Sequence, residues 1–525
     1  MDVHVNVLSF SSVLLGEVLA EPKQALADDT CLEKLLDWFT DLTAHGSSLL
    51  EINPCLIAFI SSVCKTKTAE PSILSFALKL SGLLASTEEG FYILKQQNIL
   101  ESIFGYQEWS ESCVWEDATV RSGWVHGLRS MVRHWEAMFF LFKNGFTKVV
   151  LHLQTDKSLF VASEANKLLA RILNFSERTA TRTPSSENGN ETDLSEVHKD
   201  RGRPECPEWA DGITEVMKHV EDSLMSGIPF HTCQSLKLVA LSLVHCQPHV
   251  REMLWQKMEK AIEVLLGNGQ SSLTQLLIEV LQAAARTPLL SKTDSSIVTL
   301  METMLYALKP AQAIPFATGT MHLENCPHSL KKKAIGVVLQ PLELVTASTD
   351  LQQLYSDPVK ELGCQRSAVE EQLSQKRSCI SLLCLSLSST AELAGMQNSL
   401  HLEIPVQSVT LSVLKVLKVC VGMSFSSSPS SSILRNLIGC SKVQKCALDT
   451  LASLSQSPKS TVFRSEVLSV LLQYLDSPDT DCIVLQKAFQ VTLKWLCICS
   501  EPPPQDLFLT EDLFPVLKKR LCDMR

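Results

Sequence analysis

Apolar residues in this chain return every three or four positions, in one segment after another, and that spacing commits most of it to amphipathic helix. In DDTCLEKLLDWF (28–39), Leu32, Leu35, Leu36 and Phe39 form one helical stripe, and Asp28 or Asp29 is placed to cap its start. NPCLIAFISSVC (53–64) offers Asn53 as a cap, Pro54 in the first turn, and Leu56, Ile57, Ile60 and Val63 on one face. PSILSFALKLSGLL (71–84) repeats the pattern, again with proline at its start. The same unit is expected at 157–175, 209–225, 230–246, 250–266, 271–286, 295–308, 329–346, 377–394, 406–421, 441–456, 459–475 and 481–499. Two such helices with their turns span about 40 residues, the period of HEAT and armadillo repeats. The expected fold is therefore all-α, a HEAT/armadillo-like α-solenoid of paired helices. Segments such as 405–421, apolar on more than one side, suit an inner layer packed between neighbouring repeats. A single core for 525 residues would exceed what one domain usually builds.

Composition agrees. Apolar residues make up 45% of the chain, and 20 Gly with 22 Pro are too few for a turn-rich β fold. Two polar stretches interrupt the helical pattern. Residues 176–208 hold almost no large apolar side chain and are read as a disordered insert, because they cannot bury enough to offset the entropy of ordering. SFSSSPSSS (424–432) reads as a short loop, and 348–376 as one acidic amphipathic helix with frayed ends. The expected organisation is an N-terminal block over 1–175, the insert over 176–208, and a second block over 209–525. In the second block, DLFPVLKKRLCDMR (512–525) starts a helix with no following partner, so a terminal cap is expected to be missing.

Several function classes are disfavoured. A net charge of −10 argues against direct nucleic-acid binding, which normally needs clustered Lys and Arg. No run of 18 uncharged apolar residues predicts a membrane span. MDVHVNVLSFSSVLLGEVLAEP at the start lacks the basic head of a signal peptide. The 18 cysteines are irregularly spaced, without CxxC, as expected for core thiols in a reducing compartment. There is no phosphate-binding loop, no dinucleotide fingerprint, no HExxH and no GxSxG, so neither an enzyme nor a cofactor is expected. Cys246 beside His245, and Cys326 near His328, sit at offsets that do not face each other on a helix. His245, Cys246 and His249 lack the second ligand pair of a zinc site. LKKKA around Lys331–Lys333 and KKR at 518–520 are read as solvated faces, HKDRGR (198–203) is the more accessible basic run, and the S/T-Q pairs at Thr274, Ser374 and Ser455 are no more than chance gives.

VRSGWVHGLRSMVRHW (120–135) stands apart. Gly123 and Gly127, four apart, cost a helix roughly 1 kcal/mol each, which close helix packing can offset. Trp124 and Leu128 supply apolar contact, and Arg129 and Arg133 share a face able to hold acidic groups. Trp124, Arg129 and Arg133 are the candidate partner-binding residues.

DDTCLEKLLDWF (28–39), LSFALKLSG (74–82), TVRSGWVHGLRS (119–130), SLFVAS (158–163), LENCP (323–327), VLQPL (338–342), ALDTLASLSQ (447–456), LQKAFQVTLKWL (485–496) and LFPVLKKRLC (513–522), taken in order, resemble the BRCA-associated ATM activator family of HEAT-repeat proteins. Residues 1–27, 176–208 and 348–376 match poorly. The resemblance implies a non-catalytic scaffold of nucleus and cytoplasm, without cofactor or membrane. It implies as partners the ATM kinase, the breast-cancer susceptibility protein and the endonuclease subunits of Integrator, and roles in DNA-damage signalling, cell growth and mitochondrial homeostasis. Family members continue past the point matching Arg525, with further repeats and a tail that engages the endonuclease, so this chain is expected to be C-terminally shortened. An importin-like or armadillo transport adaptor is the alternative, although the eight Trp are not spaced one per repeat.

Overall fold

Proline and short polar caps start many of the helices. Pro71, Pro229, Pro248 and Pro310 each open a helix, where a missing N–H costs nothing. Thr87, Asp117 and Asp481 accept backbone N–H groups of Gly90, Thr119 and Ile483 at 3.2, 2.7 and 2.8 Å. In the computed structural model, the described residues are 29–44, 49, 55–65, 70–105, 113–175, 207–268, 272–291, 296–347, 366–397, 404–422, 440–477 and 480–497, with 515, 516, 518, 519 and 522. Among them there are α- and 3₁₀-helices and no strand. Most of the expected insert, the 424–432 loop, Asn53 with Pro54, and most of 512–525 lie outside the described residues.

Contacts group the chain into two compact units, Met1–Thr287 and Pro288–Arg525. The first holds α1 (Asp29–Ala44), α2 (Cys55–Lys65), α3 (Pro71–Leu84), α4 (Glu88–Gln96), α5 (Ile99–Phe104), α6 (Ala118–Met131), α7 (Trp135–Lys143), α8 (Phe146–Leu153), α9 (Leu159–Leu173), α10 (Pro207–Met225), α11 (Pro229–Leu243), α12 (Pro248–Gly267) and α13 (Thr274–Ala285). One layer runs α3–α6–α9–α11–α13, each helix packed on the next. The other runs through α7 and α8 to α10 and α12, and helices of one layer cover those of the other. This is the paired-helix stacking of an α-solenoid. Because α9 packs on α11, and α7 on α10, helices from the two sides of the polar insert share this unit. The units thus divide at Thr287, whereas the sequence reading drew its blocks at the insert; polar composition marks where a chain leaves the core and says nothing of which helices rejoin it.

Two successive repeats share a detail. Asn98 (φ 54°) separates α4 from α5, and Gly145 (φ 67°) separates α7 from α8. Each left-handed residue breaks one layer's helix into two short pieces before the next long helix begins.

Buried polar side chains fix the register between layers. His219 Nε2 lies 2.9 Å from Gln154 Oε1, Gln154 Nε2 donates to Asn166 Oδ1 (2.8 Å), and Asn166 Nδ2 donates to Gln234 Oε1 (2.7 Å). Gln154, Asn166 and Gln234 are buried, and the run links α10, the end of α8, α9 and α11. Burial holds the His219 imidazole below its ordinary pKa, which suits a neutral ring in such a network.

The second unit holds α14 (Ser296–Ala307), α15 (Pro310–Met321), α16 (His328–Ala347), α17 (Arg366–Gly395), α18 (Val406–Gly422), α19 (Cys440–Leu454), α20 (Arg464–Asp476) and α21 (Cys482–Leu496). Its layers alternate strictly: α14–α16–α18–α20 and α15–α17–α19–α21. Single polar groups clamp neighbouring helices. Ser386 Oγ donates to Val338 O (2.6 Å), Thr450 Oγ1 to Leu387 O (2.9 Å), Tyr474 OH to Leu417 O (3.0 Å) and Trp495 Nε1 to Leu451 O (3.0 Å). The expected helix at 377–394 is longer than the sequence reading and takes in residues 366–376. Ser367–Gly395 is long and apolar enough to cross a membrane by length and hydropathy, and half of its most apolar window is buried inside the unit.

Candidate functional site

The glycines of α6 are explained by α3. A Cβ on Gly123 would stand 2.9 Å from Ser75 Cα, and one on Gly127 would overlap the Leu78 carbonyl. Gly82 of α3 faces Gly127 in turn, leaving no room for a side chain. Three glycines therefore let two backbones touch, the packing role that the sequence spacing suggested for Gly123 and Gly127.

Trp124 belongs to that core. It is fully buried, its Nε1 donates to Phe104 O at 3.1 Å, and Trp115 and Phe146 meet its ring edge-on at 5.6 and 5.3 Å between centroids. A side chain without exposed surface cannot anchor a docking protein, so the candidate face narrows to the two arginines. The α6 stripe that carries Trp124 also carries Leu128 and Met131, both buried, and this is why it turns inward.

The opposite side of α6 is basic. Arg129 Nε donates to Glu164 Oε2 at 3.1 Å, and its Nη2 lies 3.2 Å from His126 Nδ1. Lys167 Nζ donates to Glu164 Oε1 at 2.7 Å. Arg171 Nε donates to Val132 O at 2.9 Å, across from α9 to the end of α6. Arg133 is exposed and forms no ion pair among the described residues. Burial would raise the Glu164 carboxyl, but hydrogen bonds from His126 and Lys167 and the charges of Arg129 and Lys167 outweigh it and lower it to about 2. The Arg171 guanidinium is held below its ordinary value by burial and by the like charges of Arg133 and Arg129. Glu164 is paired with Arg129 and Lys167 only, Arg133 and Arg171 add charge without a carboxylate partner among the described residues, and the face stays positive on a chain of net charge −10. Phe160 lies one turn before Glu164 on the same stripe and is 82% exposed, with exposed Leu159 beside it. Such a surface can take carboxylate or phosphate groups flanking an apolar side chain.

Sequence reading missed Arg121, which forks onto Asp156 (Nε–Oδ2 2.8 Å, Nη2–Oδ1 3.1 Å) and donates to the Trp115 and Glu116 carbonyls at 2.7 Å. With four of its five N–H donors used inside the unit, it is a clamp and not a free contact. Asp156 lies 35 positions away in sequence, so no local spacing announces the pair.

The other candidates are placed as follows. Cys246 is buried, its thiol donates to Leu243 O, and burial raises its pKa. Cys326 is buried with its thiol raised to about 11, again by burial. Thiols so held are poor nucleophiles. His249 packs on Trp209 at 6.1 Å. Lys333 pairs with Glu302 at 2.6 Å, and Lys518 and Lys519 are exposed. Among the described residues no three His, Cys, Asp or Glu side chains are grouped to hold a metal ion.

Comparison with known proteins settles the family. The family model described as Integrator complex assembly factor BRAT1 matches residues 10–525. The chain belongs to the BRAT1 family. This agrees with the resemblance read from the nine collinear segments. A relative from Danio rerio, Integrator complex assembly factor BRAT1, is 42% identical over 510 residues, covering 97% of this chain and 59% of its own length. BRAT1 proteins of the same description from Ailuropoda melanoleuca and Mus musculus are 36% and 35% identical, each covering 97% of this chain and 61% of their own. The chain therefore spans about three fifths of the BRAT1 relatives it matches. An engineered protein of solved crystal structure aligns over 83% of this chain and 98% of its own at 14% identity with a TM-score of 0.29, too loose a superposition to transfer structure.

Proposed function

We propose that this chain is a non-catalytic protein-interaction scaffold that associates with Integrator subunits, its endonuclease subunits among them, and that the basic face of α6 and α9 receives an acidic segment of a partner. The description of the relatives as Integrator complex assembly factors supports the association. The observation that carries the contact is the surplus of Arg129, Arg133, Lys167 and Arg171 over Glu164 beside exposed Phe160. Complementary charge raises encounter rates and sets register, while a buried aromatic anchor supplies affinity. The same reading includes the ATM kinase and the breast-cancer susceptibility protein as partners in DNA-damage signalling, roles in cell growth and mitochondrial homeostasis, and residence in nucleus and cytoplasm; these rest on the family resemblance alone. The importin-like reading gains nothing from the faces described, since Trp124, Trp255 and Trp495 are buried and not ranged along a groove.

The test is affinity purification of this chain from nuclease-treated cell extract, with partners identified by mass spectrometry. Enrichment of Integrator subunits over a matched control supports the reading. Recovery of chaperones alone contradicts it for residues 1–525.

A further inference from the structure

Helices α17 and α19 form one of the closest packed pairs of the second unit, and three sulfur or hydroxyl groups meet on their seam. Cys384 and Ser388 stand one turn apart on α17, and Cys446 faces both from α19. Ser388 Oγ donates to Cys446 Sγ at 3.4 Å, and Cys384, one turn before Ser388 on the same helix, lies within interaction range of that sulfur. Thr450 Oγ1 holds the seam in register one turn further on, bonding both Leu387 O (2.9 Å) and Cys446 O (2.8 Å). Cys384 is buried, whereas Cys446 is half-buried and Ser388 exposed, so solvent reaches the pair from the Cys446 side.

This arrangement separates the roles of the two thiols. The interaction with Cys384, then the hydrogen bond from Ser388, favours the anionic form of Cys446 against the cost of burial. Lys442, one turn earlier, favours it too, and Asp449, itself paired with Lys487, opposes it. Cys384, beside that sulfur and buried, is held well above the ordinary thiol range.

We propose that Cys446 and Cys384 are a peroxide-responsive thiol pair, with Cys446 the attacking sulfur and Cys384 the resolving one. The Cys446 thiolate attacks one oxygen of hydrogen peroxide, the O–O bond breaks, and hydroxide leaves and takes a proton to become water. Cys446 is then a sulfenic acid. Cys384 gives up its proton and attacks Cys446 Sγ, the S–S bond forms, the S–O bond breaks, and the departing hydroxide leaves as a second water. Two thiols are oxidised by two electrons in all, and one peroxide is reduced to two waters. The product ties α17 covalently to α19 at the seam, and thiol reductants reverse it.

The experiment uses the full reduced chain. The hydrogen bond from Ser388 and the charge of Lys442 favour the Cys446 thiolate, so at pH 6 it is expected to hold more thiolate than an ordinary cysteine. Iodoacetamide is therefore expected to label half-buried Cys446 faster than exposed Cys379 and Cys482 at that pH, read by peptide mass spectrometry. Ser388→Ala, at an exposed position, should slow that labelling with an unchanged circular-dichroism spectrum. After dilute hydrogen peroxide and a non-reducing digest, the Cys384–Cys446 peptide should be the dominant cross-link, and Cys384→Ser should replace it with a dimedone adduct on Cys446. Labelling of Cys446 no faster than of Cys379 and Cys482, or a dimedone adduct on Cys446 in the unsubstituted chain with no cross-link, overturns the proposal.

Discussion

Arg129 Nε and Glu164 Oε2 stand 3.1 Å apart and join α6 to α9 across the layer that also carries Arg133, Lys167 and Arg171. Glu164 is the carboxylate that Arg129 and Lys167 share, and its side chain is 14% exposed. Its protonation therefore has a visible cost. The carboxyl is lowered from 4.5 to about 2 in the folded chain, so the stability it confers is complete above about pH 4.5 and is lost as pH falls towards 2. Glu164→Gln removes that dependence. The thermal midpoint of the unsubstituted chain should exceed that of Glu164→Gln at pH 6, and the gap should close on acidification. A gap independent of pH contradicts the assignment.

Gly127→Ala places a methyl group against the Leu78 carbonyl and beside Gly82. Alanine would return about 1 kcal/mol of helix propensity, but backbone cannot yield as a side-chain tip can, and overpacking costs about 1–3 kcal/mol or more. The expected outcome is net destabilisation in urea unfolding. Gly336→Ala, where an added Cβ meets nothing, should instead be neutral or stabilising.

Asn166 bridges Gln154 and Gln234 inside the first unit. Asn166→Leu leaves a buried donor and a buried acceptor without partners, at about 1–3 kcal/mol each. Lys167→Ala, next door on the exposed side, should stay within about 0.5–1 kcal/mol. Equal losses from the two substitutions would mean that the amide run does not hold the layers.

Much of the fold was legible because its signal is local. Pro71–Leu84 was placed to the residue by its proline start and apolar stripe. The helix Pro310–Met321 was not, since Pro315 sits inside it; a proline there argues against helix by about 3 kcal/mol, and the burial of Ile314, Phe316, Ala317 and Met321 outweighs it. Short helices such as Phe146–Leu153 were missed because eight residues hold barely two turns of period, and what defines them is the left-handed Gly145 and the neighbouring repeat. The site was half legible. Glycine spacing and arginine pairing are visible in α6, but the inward turn of Trp124 depends on Phe104, Trp115 and Phe146, and the Glu164 and Arg171 that complete the face come from a helix more than thirty residues away. Cys384 and Cys446 were read only as core thiols, since nothing local brings α17 to α19.

Arg133 gives the cleanest reading of the proposed contact. Arg129→Glu sets a new carboxylate against Glu164, so a binding loss in Arg129→Glu with Arg133→Glu mixes folding with recognition. Arg133→Glu alone changes an exposed charge. Binding through this face should also weaken at high salt, because exposed charge contacts are screened within about 10 Å at 0.1 M ionic strength.

The central measurement is the titration of this purified chain into purified Integrator endonuclease subunits, followed by isothermal calorimetry, for the unsubstituted chain and Arg133→Glu of matched circular dichroism and thermal midpoint. The account predicts saturable binding that Arg133→Glu weakens about three- to tenfold, in line with the loss of a charged contact of about 1 kcal/mol and its reversal in sign. Binding of equal strength in both proteins, or none in either, contradicts it.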